Sequence, residues 1–307
     1  MRSLGDILDQ EAVGARSPTP MQRRLLAANC AIREEPPHRI AFLHSVFCQV
    51  GLPRRATDER VFERRSGHVS VRIEAGQSSL GSDIEERQLP YGALSRLILI
   101  HLSTEAVRKR SRRMNFDSAR HLLTTLGLQT SGGARGGYRN LQGQMEALSA
   151  CRMSLEFQMN GIRALVECEL IDLVDAPWIS PLPSSPSRRL VLQLSEPFYA
   201  SLIERAVPVD PRAITAIRHS ALAIDVYTWL AHRLCRVKTP QGSKISWNNL
   251  RDQFGQEYRN SRDFKREMRR AVRQAVVVYP DARVAEVIGG LVLYQSPPPV
   301  PSRDSHR

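Results

Sequence analysis

Six arginines between residues 259 and 273 recur at a spacing that places them on one side of a helix. With Met268 as the zero of a helical projection, Phe264, Val272 and Ala275 fall within about 40° of it and form an apolar face. Arg262, Arg266, Arg269, Arg270 and Arg273 fall between about 100° and 200°, and Arg259 shares that arc if the helix starts so early. Asp263 and Glu267 lie off the stripe in this projection. A solvated helix face normally interleaves Glu with Lys or Arg for i, i+4 pairing, whereas this stripe reads as arginine without matching acid. Guanidinium groups suit bidentate contact with phosphate or with guanine. The chemistry expected here is therefore recognition of a polyanion. Five or six neutralised phosphates would give a log-log salt slope of about −5 from this helix alone.

Other residues that could do chemistry lack the partners it needs. The five cysteines, at 30, 48, 151, 168 and 235, contain no pair at metal-ligand spacing, and no two histidines are set i, i+4 around a carboxylate. Gly132-Gly133-Ala134-Arg135-Gly136-Gly137 lacks the Gly-Lys-Ser/Thr end of a nucleotide loop and the spacing of a dinucleotide loop, so it reads as a turn. Tyr138, Tyr227 and Tyr279 could be strand-cleaving nucleophiles only beside a metal that polarises phosphate, and no His-apolar-His triplet supplies one. Tyr227, Trp229 and Trp247 read instead as core aromatics. No catalytic residue, metal or cofactor is expected.

Composition agrees with a polyanionic partner. In 307 residues, 44 Lys and Arg stand against 31 Asp and Glu, a net charge of +13. No apolar run reaches the ~18 to 20 residues of a membrane span, and the first residues lack the apolar core of a secretory signal. A cytoplasmic, DNA-associated protein of about two domains is the expectation.

The elements that must position these residues repeat in order. Residues 1–39 read as a flexible arm with one helix at Met21 to Ile32. Ile40 to Leu52 reads as helical, and the alternation of Val69, Val71 and Ile73 as a strand. From Pro90 the order is long helix, short extended piece at Met114 to Phe116, helix capped by Asp117 or Ser118 and ended by Gly127, glycine-rich turn, and helix Tyr138 to Ala150. A hairpin follows, Met153 to Met159 and Ile162 to Ile171, turning at Asn160-Gly161. Residues 175–189, with four prolines and four serines, read as a linker. The order then recurs: a strand at Leu190 to Leu194, helices from Phe198 and from Pro211 to Val237, an extended Ile245 to Trp247, helices Asn248 to Phe254 and Arg259 to Val278, and a hairpin turning at Gly289-Gly290. The expectation is an α+β chain of two tandem winged-helix (helix-turn-helix) domains, at 40–175 and 190–295, joined by a linker at 176–189 and ending in a Pro-rich disordered tail at 296–307. In the first domain, Arg135 in the turn and Arg139, Asn140 and Gln142 on the following helix are the candidate base-reading residues, and the cluster Arg108 to Arg113 is a weaker phosphate candidate.

Several ordered blocks resemble plasmid-encoded RepA proteins. They are Phe42-Leu43-His44, Cys48 to Arg55 and Arg60 to Arg64; Leu89-Pro90-Tyr91-Gly92, Ile100 to Arg108, Thr130 to Gly133, Arg135 to Tyr138 and Ala150 to Met153; and Leu222 to Arg233 with Ile245-Ser246-Trp247. The resemblance implies a theta-type replication initiator that binds repeated double-stranded sites in a plasmid origin, opens adjacent A·T-rich DNA and helps load the host helicase. It also implies repression of its own promoter. Host initiator, replicative helicase and a second copy of the chain are the candidate partners, and no family-defined catalytic residue is carried over. A transcriptional repressor without a replication role remains the alternative, which the residues themselves do not separate.

Overall fold

The computed structural model describes residues 18–78, 85–131, 136–159, 162–175 and 190–301. These form two compact units: residues 42–206, and a unit assembled from the described residues before and after it. Among the described residues no helix is long and apolar enough to cross a membrane.

The described residues begin with helix α1 (Pro20–Glu34), started by a capping box in which the Thr19 hydroxyl accepts from Gln22 N and the Gln22 side chain accepts from Thr19 N. It belongs to the second unit, described below.

The first unit opens with β1 (Ala41–His44) and α2 (Ser45–Gln49), where a helix alone is expected from the sequence. Strands β2 (Val61–Ser66) and β3 (Val69–Glu74) follow, then short β4 (Gln77–Ser78) and β5 (Glu85–Glu86). Helix α3 (Gly92–Lys109) buries Leu97, Ile98, Leu99, Ile100 and Leu102 around most of its circumference, which makes it the central core helix. Arg96 on α3 is buried because its guanidinium donates to the carbonyls of Leu52, Pro53 and Gly92. After β6 (Arg113–Phe116), Ser118 caps α4 (Ala119–Thr125) by accepting from His121 N, and Gly127 at φ +68° ends that turn. Helix α5 (Gly137–Ala150) leads into β7 (Arg152–Met159) and β8 (Ile162–Glu169). These are not an isolated hairpin: β7 also pairs β3, with Ile73 opposite Met153, and the antiparallel sheet runs β2-β3-β7-β8.

A second sheet corrects the domain boundary expected from sequence. Strand β9 (Ile171–Asp175) and β6 both pair β10 (Leu190–Leu194), giving the order β6-β10-β9. β10 and the next helix, α6 (Glu196–Arg205), therefore complete the first unit instead of opening the second. The cause is burial: Leu190, Leu192 and Leu194 form one wholly buried face, and β6 extends that face with Met114 and Phe116, paired directly opposite Leu192 and Leu190. The proline-rich composition of 176–189 suggests a boundary, but β9 and β10 on either side of it pair in one sheet. Residues 176–189, Asn160-Gly161 and Gly132 to Arg135 lie outside the described residues.

The second unit continues from β11 (Ala206–Val209) into α7 (Pro211–Ile217), α8 (Ala221–Arg233) and a 3-10 turn (Leu234–Arg236). The sequence suggests one helical segment here. It breaks at Ser220, whose hydroxyl caps α8 by accepting from Ala223 N. Strand β12 (Ser243–Ser246), α9 (Trp247–Phe254) and α10 (Ser261–Val277) come next, and β13 (Val284–Val287) with β14 (Gly290–Leu293) close the unit in a sheet of order β12-β14-β13. Tyr227 and Trp229 on α8 are buried, as expected; the Tyr227 hydroxyl accepts from Asp210 N at 3.0 Å.

Two segments expected to be loose are packed here. Within residues 18–39, α1 lies on α7 and α10: Arg24 Nε donates to Ala216 O at 2.8 Å, Asn29 Nδ2 to Val277 O at 2.5 Å, and Arg212 to Ala31 O at 2.8 Å. Only Leu25 of α1 is buried, so the helix is held by polar side chains on backbone carbonyls, a bond type that composition does not reveal. At the other end, Ser296 N donates to Leu234 O, Tyr279 Oη donates to Pro297 O, and Val300 is buried. Residues 1–17 of the arm and 302–307 of the tail lie outside the described residues.

Candidate nucleic-acid interface

Helix α10 is the most amphipathic helix among the described residues, and its two faces follow from its sequence. Phe264, Met268, Val272 and Ala275 are buried, as the projection predicts, together with Ala271 and Gln274. Asn260 caps the helix by accepting from Asp263 N at 2.8 Å, so Arg259 precedes the helix. Gly255 ends α9 where a Cβ would lie 2.4 Å from the Phe264 ring, so only glycine lets α10 pack this closely.

The opposite face carries the five arginines in four different states. Arg262 and Arg270 are exposed and make no ion pair among the described residues. Arg266 is exposed but reaches Asp263 at 2.9 Å and Glu267 at 3.3 Å. Arg269 is partly covered: it pairs with Glu286 of β13 at 2.7 Å and its guanidinium lies 5.1 Å from the centre of the Trp247 ring. Arg273 is half-buried. The expectation of an arginine stripe without matching acid is thus corrected. Asp263 projects only about 20° beyond the stripe, within reach of a side chain three residues on, and Glu286 comes from a strand that no helical projection includes. Exposed pairs of this kind are worth about 0.2 to 1 kcal/mol, so Arg266 is available to a stronger anion. Arg269 has a second duty, fastening the hairpin to the helix.

The hairpin is held at two further points. Trp247 N donates to Gly289 O at 3.0 Å, and a Cβ on Gly290 would sit 1.8 Å from Ile245 O, so its turn is seated on β12 and the start of α9. At its tip Ile288 is 97% exposed. Sequence reasoning missed both Ile288 and the positioning pair Trp247 and Glu286; an isoleucine beside Gly-Gly in a hairpin turn is the one signal that could have drawn attention to the tip.

In the first unit α5 buries Leu141, Met145 and Leu148 as expected, and also Gln144, whose side-chain oxygen accepts from Tyr91 N and Ser95 Oγ. Arg139 and Asn140 are exposed. Gln142 is half-buried and donates to Glu146 at 3.0 Å, while Glu146 also pairs with Arg87 at 3.1 Å. The structure thus brings Arg139 and Asn140 to one exposed stretch of helix and turns Gln142 toward its own helix; Arg135 lies outside the described residues. The basic cluster at the end of α3 is neutralised in part: Arg108 and Lys109 pair with Glu105 and Arg112 with Asp172 and Glu196, while Arg110 and Arg113 are exposed and make no ion pair among the described residues. Those contacts are structural.

Comparison with known proteins adds the following. No curated protein sequence matches the chain. Among solved structures, a crystal structure of domains 2 and 3 of RctB is 12% identical, with a TM-score of 0.49, over 80% of this chain and 93% of that one. A model of the family described as plasmid encoded RepA protein matches residues 89–249, more than half of the chain. The matched region holds the blocks from Leu89-Pro90-Tyr91-Gly92 to Ile245-Ser246-Trp247, while the block at 42–64 lies outside it. The chain belongs to the plasmid-encoded RepA protein family.

Proposed function

We propose that this protein is a plasmid replication initiator that binds repeated double-stranded sites in the plasmid origin, with each unit a winged helix. The observation that carries the reading is the exposed arginine face of α10 beside a tethered hairpin, in a chain of the RepA family. An α-helix about 10 to 12 Å across fits a major groove about 12 Å wide, and guanidinium groups along it meet the phosphates on either side. On this reading Arg262, Arg266, Arg270 and Arg273 contact phosphate or guanine, Arg269 positions the hairpin, and Arg139 and Asn140 of α5, with Arg135 before it, serve the first unit. Gln142 contributes only by exchanging its bond to Glu146. The protein acts without a catalytic centre, metal or cofactor, in the cytoplasm. It opens adjacent A·T-rich DNA, helps load the host helicase, represses its own promoter, and recruits host initiator or a second copy of itself.

The test is footprinting of the purified protein on DNA flanking its own gene at two salt concentrations. Protection of an array of direct repeats beside A·T-rich DNA, weakening steeply with salt, supports the initiator. A single palindromic footprint over a promoter replaces it with the repressor, and a covalent protein-DNA adduct would overturn the non-enzymatic assignment.

A further inference from the structure

The tip of the β13-β14 hairpin presents an apolar side chain that the fold does not use. Ile288 is 97% exposed, so it contributes no packing, and the positive φ that the turn needs is taken by Gly289 at +91°. A polar residue would serve the turn equally well. Yet the backbone directly after Ile288 is held twice, by the Trp247 to Gly289 hydrogen bond and by Gly290 against Ile245 O. Two residues before the tip, Glu286 ties the same hairpin to Arg269 in the arginine face of α10. A stiff support thus carries one apolar group next to the most basic helix face of the unit.

We propose that Ile288 enters the minor groove beside the segment held by α10 and selects A·T base pairs there. The inference rests on the duplex-binding reading above. Groove dimensions favour it: a helix cannot enter a minor groove about 6 Å wide, but the single side chain at the end of a two-stranded ribbon, whose strands lie about 4.8 Å apart, can. Groove chemistry supplies the selection. A·T and T·A pairs show only acceptors on the minor-groove floor, whereas G·C adds the guanine N2 amino donor. An isoleucine pressed on that donor would strip its water and return no hydrogen bond, so G·C is penalised.

The experiment uses the full chain and the duplex recovered by footprinting, with each base pair of the protected minor groove changed in turn to G·C or to inosine·C. Inosine·C keeps the major-groove face of G·C but lacks the amino group in the minor groove. The expected result is a loss of about tenfold in affinity for G·C at one or two adjacent positions, with inosine·C binding as A·T does. The Ile288→Ser variant, altered at a residue that packs against nothing, is expected to melt like the wild type and to bind all three pairs alike at those positions. A G·C penalty that survives in Ile288→Ser, an inosine·C penalty equal to that of G·C, or no penalty at any position would overturn the inference while leaving duplex binding intact. Failure of the wild-type chain to bind any duplex would instead remove the reading on which it rests.

Discussion

The Arg269 guanidinium pairs with the Glu286 carboxylate at 2.7 Å while lying 5.1 Å from the centre of the Trp247 ring, so one side chain joins α10, α9 and the hairpin. Its two contacts differ in kind. The ion pair is partly exposed and worth little by itself, whereas stacking over an indole orients the guanidinium whatever the salt.

Replacing Glu286 by Gln separates these duties. The expected change in melting temperature is small, because an exposed pair contributes about 0.2 to 1 kcal/mol. Removal of the acid leaves Arg269 free for phosphate, so affinity for the footprinted duplex should rise and the salt slope should steepen by about 0.9. Affinity that falls equally at every salt concentration would show that the pair matters only for placing the hairpin.

Arg262 and Arg270 are the exposed stripe arginines with no acid partner among the described residues, and their joint replacement by Ala should reduce the salt slope by about 2. Arg266→Ala should have a smaller effect, since its contacts with Asp263 and Glu267 must be exchanged before it meets phosphate. Duplex titrations at four or five salt concentrations measure both. A double variant with an unchanged slope would place the DNA on another face.

The contrast among these arginines shows what could be read before the structure. The buried face of α10 was legible because Phe264, Met268, Val272 and Ala275 obey one local period, and the turn at Gly289-Gly290 because its chemistry is local too. The Arg269 to Glu286 pair was not, because its partners are brought together by the packing of a hairpin on a helix. The same holds for β10: its alternating leucines announce a strand, but only pairing with β6 and β9 shows which unit owns it. Helix α1 was legible as a helix, yet its fixation through Arg24, Asn29 and Arg212 joins residues 181 to 248 positions apart.

That fixation predicts that the N-terminal helix is part of the second unit and not a dispensable arm. Thr19→Ala removes the capping box and should cost about 1 kcal/mol. Asn29→Ala should cost more than an ordinary surface change, because Val277 O at the end of α10 loses its donor. Thermal unfolding of both variants and of a chain lacking residues 1–35 provides the check, with the deletion expected to melt lowest. A deletion that melts with the wild type would mean that α1 adds nothing to the unit.

Acid sensitivity should arise in the first unit from His44. Its Nδ1 accepts from Val46 N at 3.2 Å, capping α2, and its Nε2 bonds the Ser201 hydroxyl at 2.9 Å, while the ring stacks on Phe198. Burial, and then the nearby Arg205 charge, lower its pKa from 6.5 to about 3, so the folded ring stays neutral where the unfolded one is protonated. The stabilising contribution is complete above about pH 6.5 and is lost progressively as pH falls toward 3, by at most ~1.4 kcal/mol per pH unit. Protonation would also remove the lone pair that accepts from Val46, so charge and cap fail together. Urea unfolding at pH 7, 6, 5 and 4 should show wild-type stability falling more steeply than that of His44→Gln, which has no group to titrate. His232, lowered to about 4 by burial, remains in both proteins and cancels in the comparison. Parallel pH profiles would show that His44 is not the acid-sensitive group.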